Sequence, residues 1–194
     1  MKIIPYFASP IAHWVTENPF DLKDYCLEIK EKYPVVLDKG WIHAPYNTVS
    51  ADKTKYDAIK DPKFSELNQW VQECVNEFND EVGFESMYPI DMWFNVYEKG
   101  DSQEFHNHPL SHLSCIYVAE GQEDDSQIFF VRPGHVSMFP IPCKTHKGWN
   151  YEKVWFPSKK GTLFVFKSDT LHMVEKKVTD TTRITFSWNF VCEN

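Results

Sequence analysis

Two histidines two positions apart, His106 and His108, and a third, His172, are the residues here whose type and spacing suit metal chemistry. In a strand, residues two apart point to one face, so His106 and His108 can aim both rings at one point. Three imidazoles on one point suit a first-row transition metal such as Fe, Zn, Cu or Ni. Arg183 follows His172, and Thr185 follows Arg183 at the same-face interval. A guanidinium grips a carboxylate bidentately, and a hydroxyl on the same face can join it. Asn95 and Tyr97 share a face of an earlier strand and can hydrogen-bond the same ligand or line its pocket. Tyr97 reads equally as an ordinary core tyrosine.

The third metal position is open in the sequence. A non-haem Fe(II) site that activates dioxygen uses two histidines and a carboxylate on one face of the metal. His108 can replace the carboxylate; otherwise Glu104, or water, completes the set. Arg183 has a plainer reading as a surface ion-pair partner. His13, His43, His135 and His146 read as surface or core histidines, and His112 as a neighbour of the site or a substrate contact.

The elements that must carry these residues change character along the chain. Residues 1–20 read as extended, with prolines at 5, 10 and 19. A helix is expected over 22–33, capped by Asp21 and ended by Pro34. A second is expected over 64–80, capped by Ser65, with the stripe Leu67, Trp70, Val71, Cys74, Val75 and Phe78 and a stop at Gly83. After Pro89 the pattern is of strands: 92–98, 105–108, 114–119, 127–132, 162–166, 172–178 and 183–191. A Pro-, Trp-, His- and Lys-rich insertion spans 133–160, and its Trp149, Tyr151 and Trp155 suit a packed loop. Many short strands at steady spacing point to a mainly β protein, a jelly roll or sandwich.

Composition bounds the rest. A chain of 194 residues with 42% hydrophobic and 16% aromatic content is globular and long enough for one domain with its own core. A net charge of −8 argues against a general nucleic-acid-binding surface, leaving only a local basic stretch at 144–160. Five cysteines, with no C-x-x-C pair, suit reduced thiols in a cytoplasmic setting. No stretch has the length of a membrane span, and the N-terminal apolar run is short for a signal peptide.

The motifs, taken together, resemble the 2-oxoglutarate/Fe(II) dioxygenases, and among them the small 2-oxoglutarate oxygenases of bacteria and marine phages. The shared pattern is Trp93, Asn95, Tyr97, Lys99 and Gly100, then His106, His108 and Pro109, then Ser114 to Val118. It closes with Gly161, Leu163, Phe166, His172, Arg183, Ile184, Thr185 and Asn189, so it covers roughly the second half of the chain. The chain departs from the family pattern at His108, where a carboxylate is usual, at Cys115, where glycine is usual, and at Val118, where a second tyrosine is usual. The resemblance implies a double-stranded β-helix with N-terminal helices packed outside it, residues 1–90 supporting a core over 91–194. It implies Fe(II) held by His106, His108 and His172, and 2-oxoglutarate held by Arg183 with Thr185, Asn95 and Tyr97. The implied reaction hydroxylates a C–H bond of a small molecule or peptide, releasing succinate and carbon dioxide, in a monomer or homodimer. Two other classes remain open: a cupin-like three-histidine dioxygenase that does not use oxoglutarate, and an inactive relative kept for binding.

Overall fold

The structure, a computed structural model, describes residues 9–34, 44–50, 52–132, 134, 141–148 and 150–192. His43, His135, Trp149 and Pro5 lie outside the described residues. In chain order the elements are β1 (Ile11–Val15), α1 (Lys23–Lys32), β2 (Tyr46–Asn47), α2 (Ser65–Val82), β3 (Met87–Tyr97) and β4 (Gln103–His106). There follow β5 (Leu113–Glu120), β6 (Gln127–Val131), β7 (Lys153–Pro157), β8 (Thr162–Lys167), β9 (His172–Val174) and β10 (Arg183–Cys192).

The strands form two antiparallel sheets, one in the order β1-β8-β5-β10-β3-β2 and one in the order β4-β9-β6-β7. From β3 to β10 the chain passes between the sheets in the sequence of a jelly roll, which is the double-stranded β-helix expected. Alternation along the strands of the larger sheet makes its two faces different. Met92, Phe94 and Val96 of β3, Ile184, Phe186, Trp188 and Phe190 of β10, and Leu163 and Val165 of β8 join one apolar cluster. Leu67, Val71, Cys74, Val75 and Phe78 of α2, with Cys26 and Ile29 of α1, belong to the same cluster. Each large apolar side chain so buried contributes about 1.5–3 kcal/mol. The opposite face packs Tyr97, Ile116, Val118, Phe164 and Phe166 with Ile128, Phe130 and Val174 of the smaller sheet. The polar residues of β3 and β10 are on this inner face.

Several boundaries differ from the sequence expectation. Asp21 does not cap α1; Leu22 occupies that position without a side-chain hydrogen bond. Ser65 does not cap α2: Phe64 precedes the helix, and the Ser65 hydroxyl donates to the Pro62 carbonyl at 2.9 Å. Asp61 caps the short 3-10 turn before it by accepting from the Lys63 N–H at 2.9 Å. Gly83 ends α2 in the left-handed conformation, φ 76°, where a side chain would be strained. β3 begins five residues earlier than expected and runs through Pro89. The register with β10 slips between Asn189 and Phe190, opposite this proline, and the irregularity absorbs the missing donor. The 133–160 stretch is not all loop, because β7 lies within it and pairs with β6 along its whole length. β9 is only three residues long, not seven. Lys159 and Lys160, at the end of the basic stretch, are paired with Glu123 and Glu120 at 3.0 and 2.9 Å.

Candidate metal centre

The smaller sheet pairs two of the three histidines, and the turn after β4 brings the third to them. His106 ends β4 and faces His172, which begins β9, across an antiparallel pair. His108 is not on the strand: β4 stops at His106, and the chain turns so that the His108 N–H donates to the Ser168 carbonyl at 2.9 Å. The ring centroids are 4.2 Å apart for His106 and His172, 5.1 Å for His108 and His172, and 5.4 Å for His106 and His108. One ring nitrogen from each lies within 4.8 Å of the others, close enough to hold one metal ion. Glu104, the alternative third ligand, is exposed and is not part of this group.

Hydrogen bonds orient all three rings. His106 Nδ1 donates to the Glu104 carbonyl at 2.8 Å, His172 Nδ1 to the Thr170 carbonyl at 2.9 Å, and His108 Nδ1 to Asn189 Oδ1 at 2.6 Å. A ring whose Nδ1–H is donated offers its lone pair at Nε2, the arrangement that fixes metal-binding imidazoles. Ser114 and Ser168, hydrogen-bonded at 2.8 Å, brace the Asn189–His108 pair, with Ser114 Oγ 2.9 Å from His108 Nδ1. Burial pushes the His106 pKa down to about 4, and it pushes His108 and His172 below the ordinary imidazole value. The rings are therefore neutral at neutral pH, as metal ligands must be.

Behind the histidines, β3 and β10 form a ladder of polar pairs on the inner face. Asn189 is opposite Asp91, Ser187 opposite Trp93, Thr185 opposite Asn95 and Arg183 opposite Tyr97. The Trp93 ring is 5.4 Å from the His108 ring, which sets the level of the metal centre on this ladder. Asn95 Nδ2 donates to Thr185 Oγ1 at 3.2 Å, and the Tyr97 hydroxyl donates to Gln103 Oε1 at 3.0 Å. Arg183 is 1% exposed, with its guanidinium 4.2 Å above the Tyr97 ring. Its Nη1 donates to Ser126 Oγ, whereas Nε and Nη2 are buried with no hydrogen-bond partner. Burial pushes the Arg183 pKa down, yet no carboxylate among the described residues forms a salt bridge with it. A surface ion pair is thus not its role; a buried guanidinium with two open donors lacks an anion.

Residues 91–189, just over half the chain, match the family described as "Putative 2OG-Fe(II) oxygenase". The chain belongs to this family. Fe(II) and 2-oxoglutarate are the cofactors that go with membership. No curated protein matches the oxygenase by sequence. Solved structures match its fold. A Pseudomonas putida prolyl-4-hydroxylase is 13% identical, with TM-score 0.63 over 95% of this chain and 93% of that one. The α-ketoglutarate-dependent epimerase SnoN from nogalamycin biosynthesis is 12% identical, with TM-score 0.65 over 96% and 78%. HygX from Streptomyces hygroscopicus, solved with nickel, 2-oxoglutarate and hygromycin B, is 12% identical, with TM-score 0.57 over 95% and 83%.

The oxygenase's own residues fit both cofactors. Three neutral nitrogen donors suit an Fe(II) ion with positions left over, and the open side of Arg183 suits a carboxylate. A cavity of about 400 Å³ opens beside His106 and His108. It is lined by Trp93 and Asn95 of the ladder, by Gln103, and by the segment around β2. The other histidines among the described residues are elsewhere: His13 packs on Phe156 and Phe164, His146 stacks on Tyr151, and His112 Nδ1 accepts from the Cys192 N–H at 3.2 Å. His112 therefore anchors the end of β10 and does not line the cavity.

Ser126, the partner of Arg183, was not legible as a site residue, and neither was the ion pair beside it. Lys177 and Asp125 are both buried, and the ammonium also donates to Thr179 and Thr181 hydroxyls at 2.6 and 2.9 Å. Burial alone would raise the Asp125 pKa, but hydrogen bonds from Lys177, Thr179 and the Val178 N–H hold it below the usual value. Its stabilising contribution is present above about pH 3.9 and is lost as pH falls through the lower folded value. Lys177→Met leaves Asp125 buried without a counter-charge and is expected to cost about 3–5 kcal/mol. The midpoint of urea unfolding at neutral pH reads this loss; an unshifted midpoint would mean that the pair contributes nothing.

Proposed function

We propose that His106, His108 and His172 hold Fe(II), that Arg183 and Thr185 bind the far carboxylate of 2-oxoglutarate, and that the enzyme hydroxylates a C–H bond of a small molecule held in the cavity. The observation that carries this reading is the buried side of Arg183, Nε and Nη2, left without partners on the β10 face that also carries Asn189, the partner of His108. Arg183 is four residues along β10 from the level of Trp93, about 13 Å. A five-carbon dicarboxylate gripped at Arg183 would run along this face toward the metal centre. With both bound, 2-oxoglutarate, dioxygen and R–H become succinate, carbon dioxide and R–OH.

The protein's part is to position and to exclude. Arg183 supplies a two-pronged grip at the closed end, and Ser126 and the Tyr97 ring fix the plane of that grip. Thr185 adds a hydroxyl beside it, already oriented by Asn95. The apolar residues Val118, Ile128, Phe130 and Phe166 wall the interior and keep water from the reacting groups. Asn95 and Gln103 line the cavity and also hydrogen-bond Thr185 and Tyr97, so they join the cavity to the closed end. The three-histidine donor set and the jelly roll also fit a cupin-like dioxygenase, but such an enzyme has no use for Arg183 in this place. Succinate release from 2-oxoglutarate with Fe(II) and pooled candidate substrates tests the reading. Release that needs both Fe(II) and a substrate pool supports it; metal binding with no oxoglutarate binding would leave the cupin-like reading standing.

A further inference from the structure

Among the described residues lining the cavity beside the histidines, one is ionisable and unused in the handling of metal and oxoglutarate. Asp91 faces it from the mouth end of the β3–β10 ladder, held by Asn189 through hydrogen bonds. Its Oδ1 is buried with no hydrogen-bond partner. The described lining residues include no lysine and no arginine, and the two lining histidines are neutral. Among the described lining residues the only formal charge is therefore negative. Lys53 is the cation whose charge reaches Asp91, but it is paired with Asp57 at 3.7 Å and does not line the cavity. The cavity wall is mostly apolar: Trp93 and Pro109 line it, and the lining residues Ile90, Val49 and Leu110 are exposed at 46%, 47% and 89%. Exposed apolar groups around a cavity mark a surface that is covered when a ligand binds.

We propose that the substrate carries a protonated amine on an apolar body, and that Asp91 anchors the amine so that the body lies across Trp93 toward the metal centre. The proposal rests on the reading of this cavity as the substrate pocket of an oxoglutarate-dependent oxygenase. The carboxylate oxygen left without a partner, Oδ1, supplies the acceptor that an ammonium N–H needs. A buried carboxylate without a counter-charge also rejects an anionic substrate. Burial pushes the Asp91 carboxyl above the ordinary range, and a bound cation would favour its charged form. Asp91 recognises the substrate and takes no part in the redox step.

Three probes of one shape test this: 3-phenylpropylamine, 3-phenylpropanol and 3-phenylpropionate, titrated by calorimetry into the Fe(II)- and oxoglutarate-loaded protein without dioxygen. The amine is expected to bind roughly tenfold tighter than the alcohol, as a charge-assisted hydrogen bond would give, and the acid weakest. In Asp91→Asn, which keeps the shape and the contact to Asn189, the amine and the alcohol are expected to bind within about twofold of each other. Equal binding of amine and alcohol in the wild type, no binding of any probe, or a preference that survives Asp91→Asn would each overturn the proposal. The wild-type preference needs no variant, so a poorly folded Asp91→Asn would not shelter the idea. Oxoglutarate affinity is measured separately in both proteins. If oxoglutarate binds and the amine preference is absent, only the amine proposal fails. If oxoglutarate does not bind and the preference holds, the oxygenase reading fails and Asp91 remains a cation site.

Discussion

Replacing Arg183 by alanine is expected to weaken oxoglutarate binding by more than about a hundredfold while leaving metal content unchanged. The guanidinium sits between the sheets, away from the histidines, so its loss removes no metal ligand. A carboxylate carried to that depth keeps its desolvation cost and loses its counter-charge, which is about 3–5 kcal/mol for one side of a buried pair. Arg183→Lys should recover only part of this, because an ammonium cannot present Nε and Nη2 as a fork. Thr185→Ala should cost on the order of 1 kcal/mol, one hydroxyl hydrogen bond. Arg183→Met separates binding from folding. It removes a buried charge with two unpaired donors and leaves a chain of similar volume, so the ligand-free protein should gain on the order of 1 kcal/mol in stability. Titration of oxoglutarate into Fe(II)-loaded wild type and variants reads the first effect, and urea unfolding of the ligand-free proteins reads the second. Equal oxoglutarate affinity in wild type and Arg183→Ala would sink the oxoglutarate reading.

The ladder that makes this prediction possible was half legible in the sequence. In β10, Arg183, Thr185, Ser187 and Asn189 alternate with Ile184, Phe186, Trp188 and Phe190, so one polar face on an apolar strand shows by period alone. What alternation cannot give is the partner across the sheet. That Asn189 is opposite Asp91 and Arg183 opposite Tyr97 depends on register, and the register carries a slip beside Pro89. For the same reason Ser126 was invisible: it sits in a turn that reads as acidic surface, and only tertiary folding brings it to Arg183. β7 was missed because its five residues end in proline and follow a long irregular stretch, and they pair only with β6. α2 was legible because its apolar stripe repeats over 18 residues, while its cap was misplaced by the preceding 3-10 turn.

The histidines show how a right grouping can come from incomplete local geometry. Same-face alternation joined His106 to His108, but β4 ends at His106. His108 is brought back by the turn through Pro109 and by its bonds to Ser168 and Asn189. Its place therefore depends on tertiary contacts more than that of His106 or His172, which are paired across β4 and β9.

That difference orders the expected effects on metal binding. His106→Ala or His172→Ala leaves two nitrogen donors and is expected to lower Fe(II) affinity by more than about a hundredfold, beyond the 10–100-fold typical of losing a group that only orients a ligand. Asn189→Leu removes the acceptor for His108 Nδ1 and frees that ring to turn, so it should fall within the 10–100-fold range. His108→Asp should keep binding, because it restores the two-histidine, one-carboxylate set that Fe(II) accepts. The shorter side chain gives up the bond to Asn189, so retained affinity there would show that the donor type outweighs the lost support. His108→Ala is the decisive variant, since among the described residues the metal-binding group holds no further donor to take the place of the imidazole, and Glu104 is outside it. Competition for Fe(II) against a chromophoric chelator, run without dioxygen, measures the five variants and the wild type on one scale. If His108→Ala binds Fe(II) as tightly as the wild type, His108 is not a ligand, and the centre holds its metal with His106, His172 and water alone.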